Sequence, residues 1–208
     1  MTELVCSRLA EPDRDEVIAL LATAFCQDDP VEAALGITPA EFRVLLEFDL
    51  EPLIREGACL VVRVDGRLRG AILVQDALDE GVDVRGRISP KFEPISALAG
   101  ALHEQYLQLR RPEPGCCLYV YMIGVDPGWA GQGIGKRLLA EALRQARSRG
   151  CRSAFALATN RGSMAIFQAC RFELLRMTEY RDFRFREQAV FASITDHPGI
   201  ALMECPGL

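Results

Sequence analysis

The sequence predicts a mixed α/β or α+β fold, with helices packed around one mixed sheet. Three observations carry this. Strand-like runs alternate with helix-like runs along the whole chain, which is the order that layers helices on a sheet. The most strand-like run, residues 116–125, passes through a glycine-rich turn into the clearest amphipathic helix, residues 134–149. No internal repeat or low-complexity tract breaks the pattern, and 208 residues suit one domain, taken as residues 1–208.

Each element has its own signal. Residues 4–9 read as a short first strand. Asp13 and Glu16 have the spacing of a capping box, and Val17, Ile18, Leu20, Leu21, Ala24 and Phe25 follow at helical spacing. A loop, Cys26-Gln27-Asp28-Asp29-Pro30, precedes a second helix start at Thr38-Pro39-Ala40-Glu41, with Pro at the first helical position. Phe42, Leu45, Leu46, Leu50 and Leu53 form its stripe, which Asp49 interrupts.

Residues 59–74 read as a hairpin, because Asp65-Gly66 suits a tight turn at positive φ. Residues 76–92 are charged and irregular and read as a surface loop. Residues 94–109 read as a third helix with Ile95, Leu98, Leu102, Tyr106 and Leu109 on one side, and residues 111–115 as a break. Past the central helix, Gly150 is placed to end it in the left-handed region. Strands are expected at 153–159, 172–185 and 200–205, with a short helix at 163–170.

Composition excludes several classes. Half the residues are hydrophobic and a quarter charged, which fits a folded chain rather than a disordered one. Twenty-four basic against 29 acidic residues leave a formal charge of −5, with no basic cluster beyond Arg110-Arg111, so nucleic acid is not an expected partner. No run of about 18 apolar residues exists, so no membrane span is expected. The start Met1-Thr2-Glu3-Leu4 is not that of a signal peptide. The eight cysteines include no Cys-x-x-Cys, and neither His103 nor His197 lies near a cysteine pair. A metal site is therefore not expected, and the cysteines read as small core residues of a reduced, cytoplasmic protein.

The segment richest in chemistry is Val125-Asp126-Pro127-Gly128-Trp129-Ala130-Gly131-Gln132-Gly133-Ile134-Gly135-Lys136. The first turn of a helix carries unpaired N–H groups and a partial positive charge, and glycines let an anion approach them closely. Lys136 either adds charge there or is solvated. A nucleotide P-loop fails, because Ala130 stands at its first Gly and Arg137 follows Lys136. A dinucleotide fingerprint fits poorly: the glycines run Gly131-x-Gly133-x-Gly135, and the next strand ends Ala158-Thr159-Asn160 without an acid. A tight turn with no ligand is the remaining structural alternative.

With Val125-x-Pro127 before it, the loop Ala130-Gly131-Gln132-Gly133-Ile134-Gly135 resembles the acetyl-CoA pyrophosphate loop of the GNAT superfamily of N-acetyltransferases. Ala130 departs from that pattern, which has Arg or Gln there. Asn160 after the next strand and Phe172 after the short helix also match, with Arg171 in place of the family's Gly. The likeness is strong over about residues 58–185 and looser over the rest of the chain. Phe25-Cys26-Gln27-Asp28-Asp29-Pro30 is similar to the Phe-x-x-Asp-Glu-Pro stretch of insect-type arylalkylamine N-acetyltransferases, and the tail around Val190-Phe191 and His197 looks like the same branch.

The resemblance implies a mostly antiparallel central sheet flanked by helices, with a splayed strand pair at the cofactor site. It implies acetyl-CoA as co-substrate and no metal, and a small primary amine as acceptor, attacked directly in a ternary complex. Carried over, backbone groups of Ile123, Gly124 and Val125 meet the thioester and pantetheine, and Ala130, Gly131, Gln132, Gly133, Ile134, Gly135 and Lys136 hold the pyrophosphate. Asn160 and Phe167 complete the cofactor set.

Asp29 occupies the Glu position of the Asp-Glu-Pro stretch and is the first choice of general base, working through a water; Asp28 and Asp29 equally suit capping a turn before Pro30. Asp49 and Glu47 are further candidates. The family's usual Tyr acid is here Phe167, which has no proton to give. Ser163 stands near the expected thiolate, with helix capping as its alternative role; Tyr119, Tyr121 and Tyr180 are substitutes. A nucleophilic Cys117 or Cys170 lacks a nearby base. Rival readings are a peptide or protein N-acetyltransferase and a non-catalytic acyl-CoA sensor. The chain is expected to be a monomer or homodimer.

Overall fold

A computed structural model describes residues 4–208; Met1-Thr2-Glu3, and with them most of the N-terminal signal-peptide reading, lie outside the described residues. Among the described residues seven strands form one sheet: β1 Leu4–Arg8, β2 Leu60–Val64, β3 Arg67–Asp76, β4 Cys117–Val125, β5 Ser153–Ala158, β6 Glu173–Glu179 and β7 Gly199–Cys205. Their order across the sheet is β1-β2-β3-β4-β5-β7-β6. Every pair is antiparallel except β4 with β5. Six α-helices of the described residues flank it: α1 Arg14–Asp28, α2 Pro30–Leu35, α3 Pro39–Glu56, α4 Glu93–Arg110, α5 Ile134–Ser148 and α6 Arg161–Ala169. The mixed sheet expected from the sequence is thus present, and it is mostly antiparallel, as the resemblance implies.

The alternation of side chains along β3 assigns the helices to faces. A Cβ on Gly70 would meet Ile134 and Leu138 of α5, at 2.8 and 3.0 Å. Ala71, its neighbour, is paired with Gly124, whose Cβ would meet Leu21 of α1 at 2.6 Å. So α5 and α1 lie on opposite faces. Gln75 shares the face of Ala71 and is paired with Tyr119, which packs with Tyr106 of α4. α1 and α4 therefore flank one face, and the space between them is where the site lies.

Several local expectations hold. Asp65 and Gly66 both take positive φ, +47° and +76°, in the hairpin turn. The helix start expected at Thr38-Pro39 is where α3 begins, and there Thr38 and Glu41 also close a reciprocal capping box. Others are corrected. Asp13 and Glu16 do not cap α1. Both are drawn to the guanidinium of Arg63 on β2, at 2.8 and 3.1 Å, which offers charge-assisted bonds. α1 runs on to Asp28 and α2 begins at Pro30, so the expected loop reduces to Asp29 alone. Leu109 leaves the core, 62% exposed. The strand expected over 172–185 stops at Glu179, and the chain beyond it folds Phe191 against Tyr180. Arg171, at the place of the family's Gly, adopts φ +68°.

Candidate active site

Pairing between β4 and β5 ends at Val120 and Ala156, although β4 continues to Val125 and β5 to Ala158. Past that point the two strands part. The split is prepared by an irregularity in β4: Leu73 opposes Met122 and Val74 opposes Val120, so Tyr121 has no partner on β3. The edge of β4 turned toward β5 is left without ladder bonds from Tyr121 onward.

Two cavities open along the gap. The first, about 490 Å³, lies at the glycine turn and is lined by Ile123, Gly124, Val125, Ala130, Gly131, Gly133, Ile134, Gly135 and Lys136, with Asn160 and Ser163. Gly131 and Gly133 hold φ +75° and +79°, conformations that glycine alone adopts freely. A Cβ on either would meet nothing within 4 Å, so the turn is open to a ligand. Gly133 caps α5 without a side-chain bond to the first turn, which leaves the N–H groups there unclaimed by a capping side chain. This is a fit for an anion such as a pyrophosphate. Gly135 serves packing instead. A Cβ there would strike Ile166 of α6 at 2.8 Å, so its absence lets α6 close the cavity wall. Gly124 is likewise a close approach, made by α1 as described above.

The second cavity, about 410 Å³, lies between α1, α3 and α4. Phe25, Phe42, Tyr119 and Tyr121 give it an aromatic wall, while Asp29, Glu32, Asp49, Asp79 and Glu80 line it with no Lys or Arg among the described residues. A cation is the matching guest. The irregular segment that the sequence assigns to the surface supplies Asp79, Glu80, Gly81, Val82, Val84 and Ile88 to this wall. Five residues border both cavities: Phe25, Asp29, Ile123, Asn160 and Ser163.

Asp29 is the hub of that border, 4% exposed. Its Oδ1 accepts the N–H of Val31 at 3.0 Å, capping α2. Its Oδ2 accepts Nδ2 of Asn160 at 3.0 Å and the hydroxyl of Thr159. The capping role and the site position are thus both real, because the cap of α2 faces the end of β5. Asn160 in turn caps α6 through Oδ1 to the N–H of Ser163, 2.8 Å, and Ser163 Oγ donates to the carbonyl of Asn160, 2.9 Å. α6 begins two residues earlier than its sequence signal, and Ser163 is the returning half of this cap.

The remaining candidates separate. Asp49 is buried in the inner wall, accepts the hydroxyl of Tyr121 at 2.7 Å, and is pushed by burial up to about 6. Burial, reinforced by Asp49, holds the Tyr121 hydroxyl well above its ordinary range. Glu47 is exposed, and its carbonyl accepts from Arg14. Tyr180 spends its hydroxyl on the carbonyl of Thr159, 2.7 Å. Phe167 borders the inner cavity and packs on Phe172; neither it nor Gln132 lines the glycine-turn cavity. The Cys117 and Cys170 thiols are both raised by burial, which disfavours a thiolate. All eight cysteines are free, and the described residues contain no cluster suited to a metal.

Sequence reasoning missed Glu32, Trp129 and Ile166. Trp129 and Ile166 line the glycine-turn cavity, and Arg69 lies 4.9 Å over the Trp129 ring. Trp129 lies within the glycine-rich turn, but nothing in its spacing says that it would line the cavity.

The match to known proteins agrees with this geometry. The profile of the acetyltransferase (GNAT) family matches residues 32–172. The chain belongs to that family and is an acyltransferase. No curated protein sequence matches. Among solved structures, the C-terminal condensation domain of Ebony, in complex with beta-alanyl-dopamine, superposes with TM-score 0.89 at 18% identity, covering 99% of each chain. A Drosophila melanogaster polyamine N-acetyltransferase that forms N-acetylagmatine gives 0.80 at 20% identity, over 99% of this chain and 100% of that one. Arylalkylamine N-acetyltransferase 2 from Aedes aegypti gives 0.81 at 18%, over 98% and 99%. At these identities the likeness is one of fold.

Proposed function

We propose that this protein transfers the acetyl group of acetyl-CoA to a primary amine of a small molecule, by direct attack in a ternary complex. The carrying observation is the shared border. A cavity suited to an anion and a cavity suited to a cation meet at Phe25, Asp29, Ile123, Asn160 and Ser163, where β4 and β5 part. Two substrates held on either side would have their reacting groups brought together, which by itself removes much of the barrier.

Bound at the glycine turn, acetyl-CoA supplies an acetyl thioester. The N–H groups at the start of α5, with Lys136, would hold its pyrophosphate, and the unpaired edge of β4 at Ile123–Val125 would receive its amides and stabilise the oxyanion. Asp29 takes the proton of the incoming ammonium, directly or through one water. Ser163, by turning its hydroxyl from the carbonyl of Asn160, would donate at the border to the departing thiolate, which leaves readily because a thiolate is a far weaker base than an alkoxide or an amide anion.

The segment over residues 79–88 forms part of the inner wall, which supports a small acceptor over a peptide. Eight free cysteines support a reducing, cytoplasmic setting, and no described helix is long and apolar enough to cross a membrane. We take residues 1–208 as one acetyltransferase unit. Two measurements test the reading. Acetyl-CoA, and neither NAD nor ATP, is expected to raise the melting temperature. Thiol release is expected with primary amines and not with peptides. Stabilisation by acetyl-CoA without release on any amine would instead favour an acyl-CoA sensor.

A further inference from the structure

Glu32 has a burial and a set of neighbours that its place in the helix does not require. It is the third residue of α2, after the cap Asp29 and Pro30. A Glu at this position ordinarily reaches back to the N–H of the cap residue. Here that N–H is taken: Asp29 N donates to the carbonyl of Phe25, 3.0 Å, because α1 runs directly into α2. The carboxyl of Glu32 turns inward instead. It is 7% exposed and, three residues on from Asp29 at the same helix start, lines the inner cavity together with it.

Its Oε2 is buried with no hydrogen-bond partner among the described residues. Two neighbouring carboxylates, both ionised, would leave that oxygen unsatisfied and opposed by a like charge. A proton on Glu32 removes the like charge and supplies a donor for the acceptor-only Asp29. Burial first and the charge of Asp29 second hold the Glu32 carboxyl well above its ordinary range. The other ionisable groups facing the pair are Cys26 of α1, Tyr180 beyond β6 and His197 before β7. The cavity they share adds Asp49, Asp79, Glu80 and His103, and no Lys or Arg among the described residues.

We propose that Glu32 is a positioning residue that stays neutral through turnover, donating a hydrogen bond to Asp29 so that the pair carries one negative charge, fixed on Asp29 at the border with the cofactor cavity. The amine's proton passes to Asp29, and Glu32 keeps its own. This rests on reading the inner cavity as the acceptor site.

The test compares Glu32→Gln with Glu32→Ala, using the most active amine found for the wild type. Gln keeps a neutral donor; Ala removes it. Glu32→Gln is expected to retain kcat/KM for the amine within about threefold, with the wild-type pH profile. Glu32→Ala is expected to lose about ten- to a hundredfold, the scale of one hydrogen bond to a charged group, and to move the acidic limb to higher pH, with acetyl-CoA affinity unchanged in both. Infrared difference spectra of wild type and Glu32→Gln at neutral pH give a readout without turnover: the carbonyl stretch of a protonated carboxyl is expected in the wild type and absent from the variant. Equal loss in Gln and Ala, or no such band, would overturn the proposal. A wild type inactive on every amine would instead defeat the acceptor-site reading, while the infrared band would still decide the protonation of Glu32.

Discussion

The hydroxyl of Tyr121 donates to Oδ2 of Asp49 at 2.7 Å, joining the irregular point of β4 to α3 across the inner cavity. The bond satisfies one oxygen of a carboxyl that burial makes costly to ionise. Asp49 also explains the break in the apolar stripe of α3: Phe42, Leu45, Leu46, Leu50 and Leu53 face the core while this one acid faces a cavity suited to a cation.

Asp49 should therefore make the fold less stable as pH rises. Its folded carboxyl titrates at about 6 against an ordinary 3.8, so the native state binds the proton more tightly than the unfolded chain. The penalty is absent below pH 4, grows between 4 and 6, and reaches about 3 kcal/mol at neutral pH on the scale of 1.36 kcal/mol per unit. Asp49→Asn keeps an oxygen for Tyr121 and carries no charge. Its melting temperature should match wild type at pH 4 and exceed it at pH 8, while KM for a cationic amine rises. A variant no more stable than wild type at pH 8 would refute this.

Gly133 marks the cofactor turn. Gly133→Glu places a carboxylate beside the free N–H groups of α5, where it occupies and repels the anion site. Calorimetry should detect no acetyl-CoA binding. Gly133→Ala meets open space and only the strain of φ +79°, costing about 1 kcal/mol of stability and leaving measurable binding. Tight binding by the Glu variant would move the pyrophosphate elsewhere.

Asp29 should separate chemistry from cofactor affinity. Asp29→Asn keeps one oxygen, but its amide then confronts the donors Asn160 and Thr159 on one side or Val31 N on the other. Turnover should fall about a hundredfold or more, the scale of general-base catalysis, and stability by about 1–3 kcal/mol, with the Kd for acetyl-CoA unchanged. Wild-type rates across the pH range would remove Asp29 from the reaction.

Gly124→Ala forces its new methyl toward Leu21, 2.6 Å away, so α1 must shift or Leu21 change rotamer. Overpacking of this kind costs about 1–3 kcal/mol. Because α1 carries Phe25 and leads into Asp29, activity should fall as well. Adding Leu21→Ala should relieve the clash, so that chemical denaturation shows the double variant less destabilised than the sum of the singles by about 1 kcal/mol or more. Additive losses would mean the two residues do not press on each other.

The sequence by itself determined the elements with local causes. The glycine turn, the Asp65-Gly66 hairpin, the helix start at Thr38-Pro39 and the amphipathic α5 follow from φ preferences, helix-start signals and periodicity, which act over a few residues. The strand-to-turn-to-helix passage that would hold an anion was legible for the same reason. Tertiary structure alone decided where long-range partners intervene. Arg63 drew Asp13 and Glu16 away from capping, Thr159 and Asn160 converged on Asp29 from about 130 positions along the chain, and the irregular segment after β3 became a wall of the inner cavity. Burial also turned Glu32 and Asp49 from ordinary acids into groups with raised proton affinity, since desolvation depends on everything packed around a carboxyl and not on its neighbours in the chain.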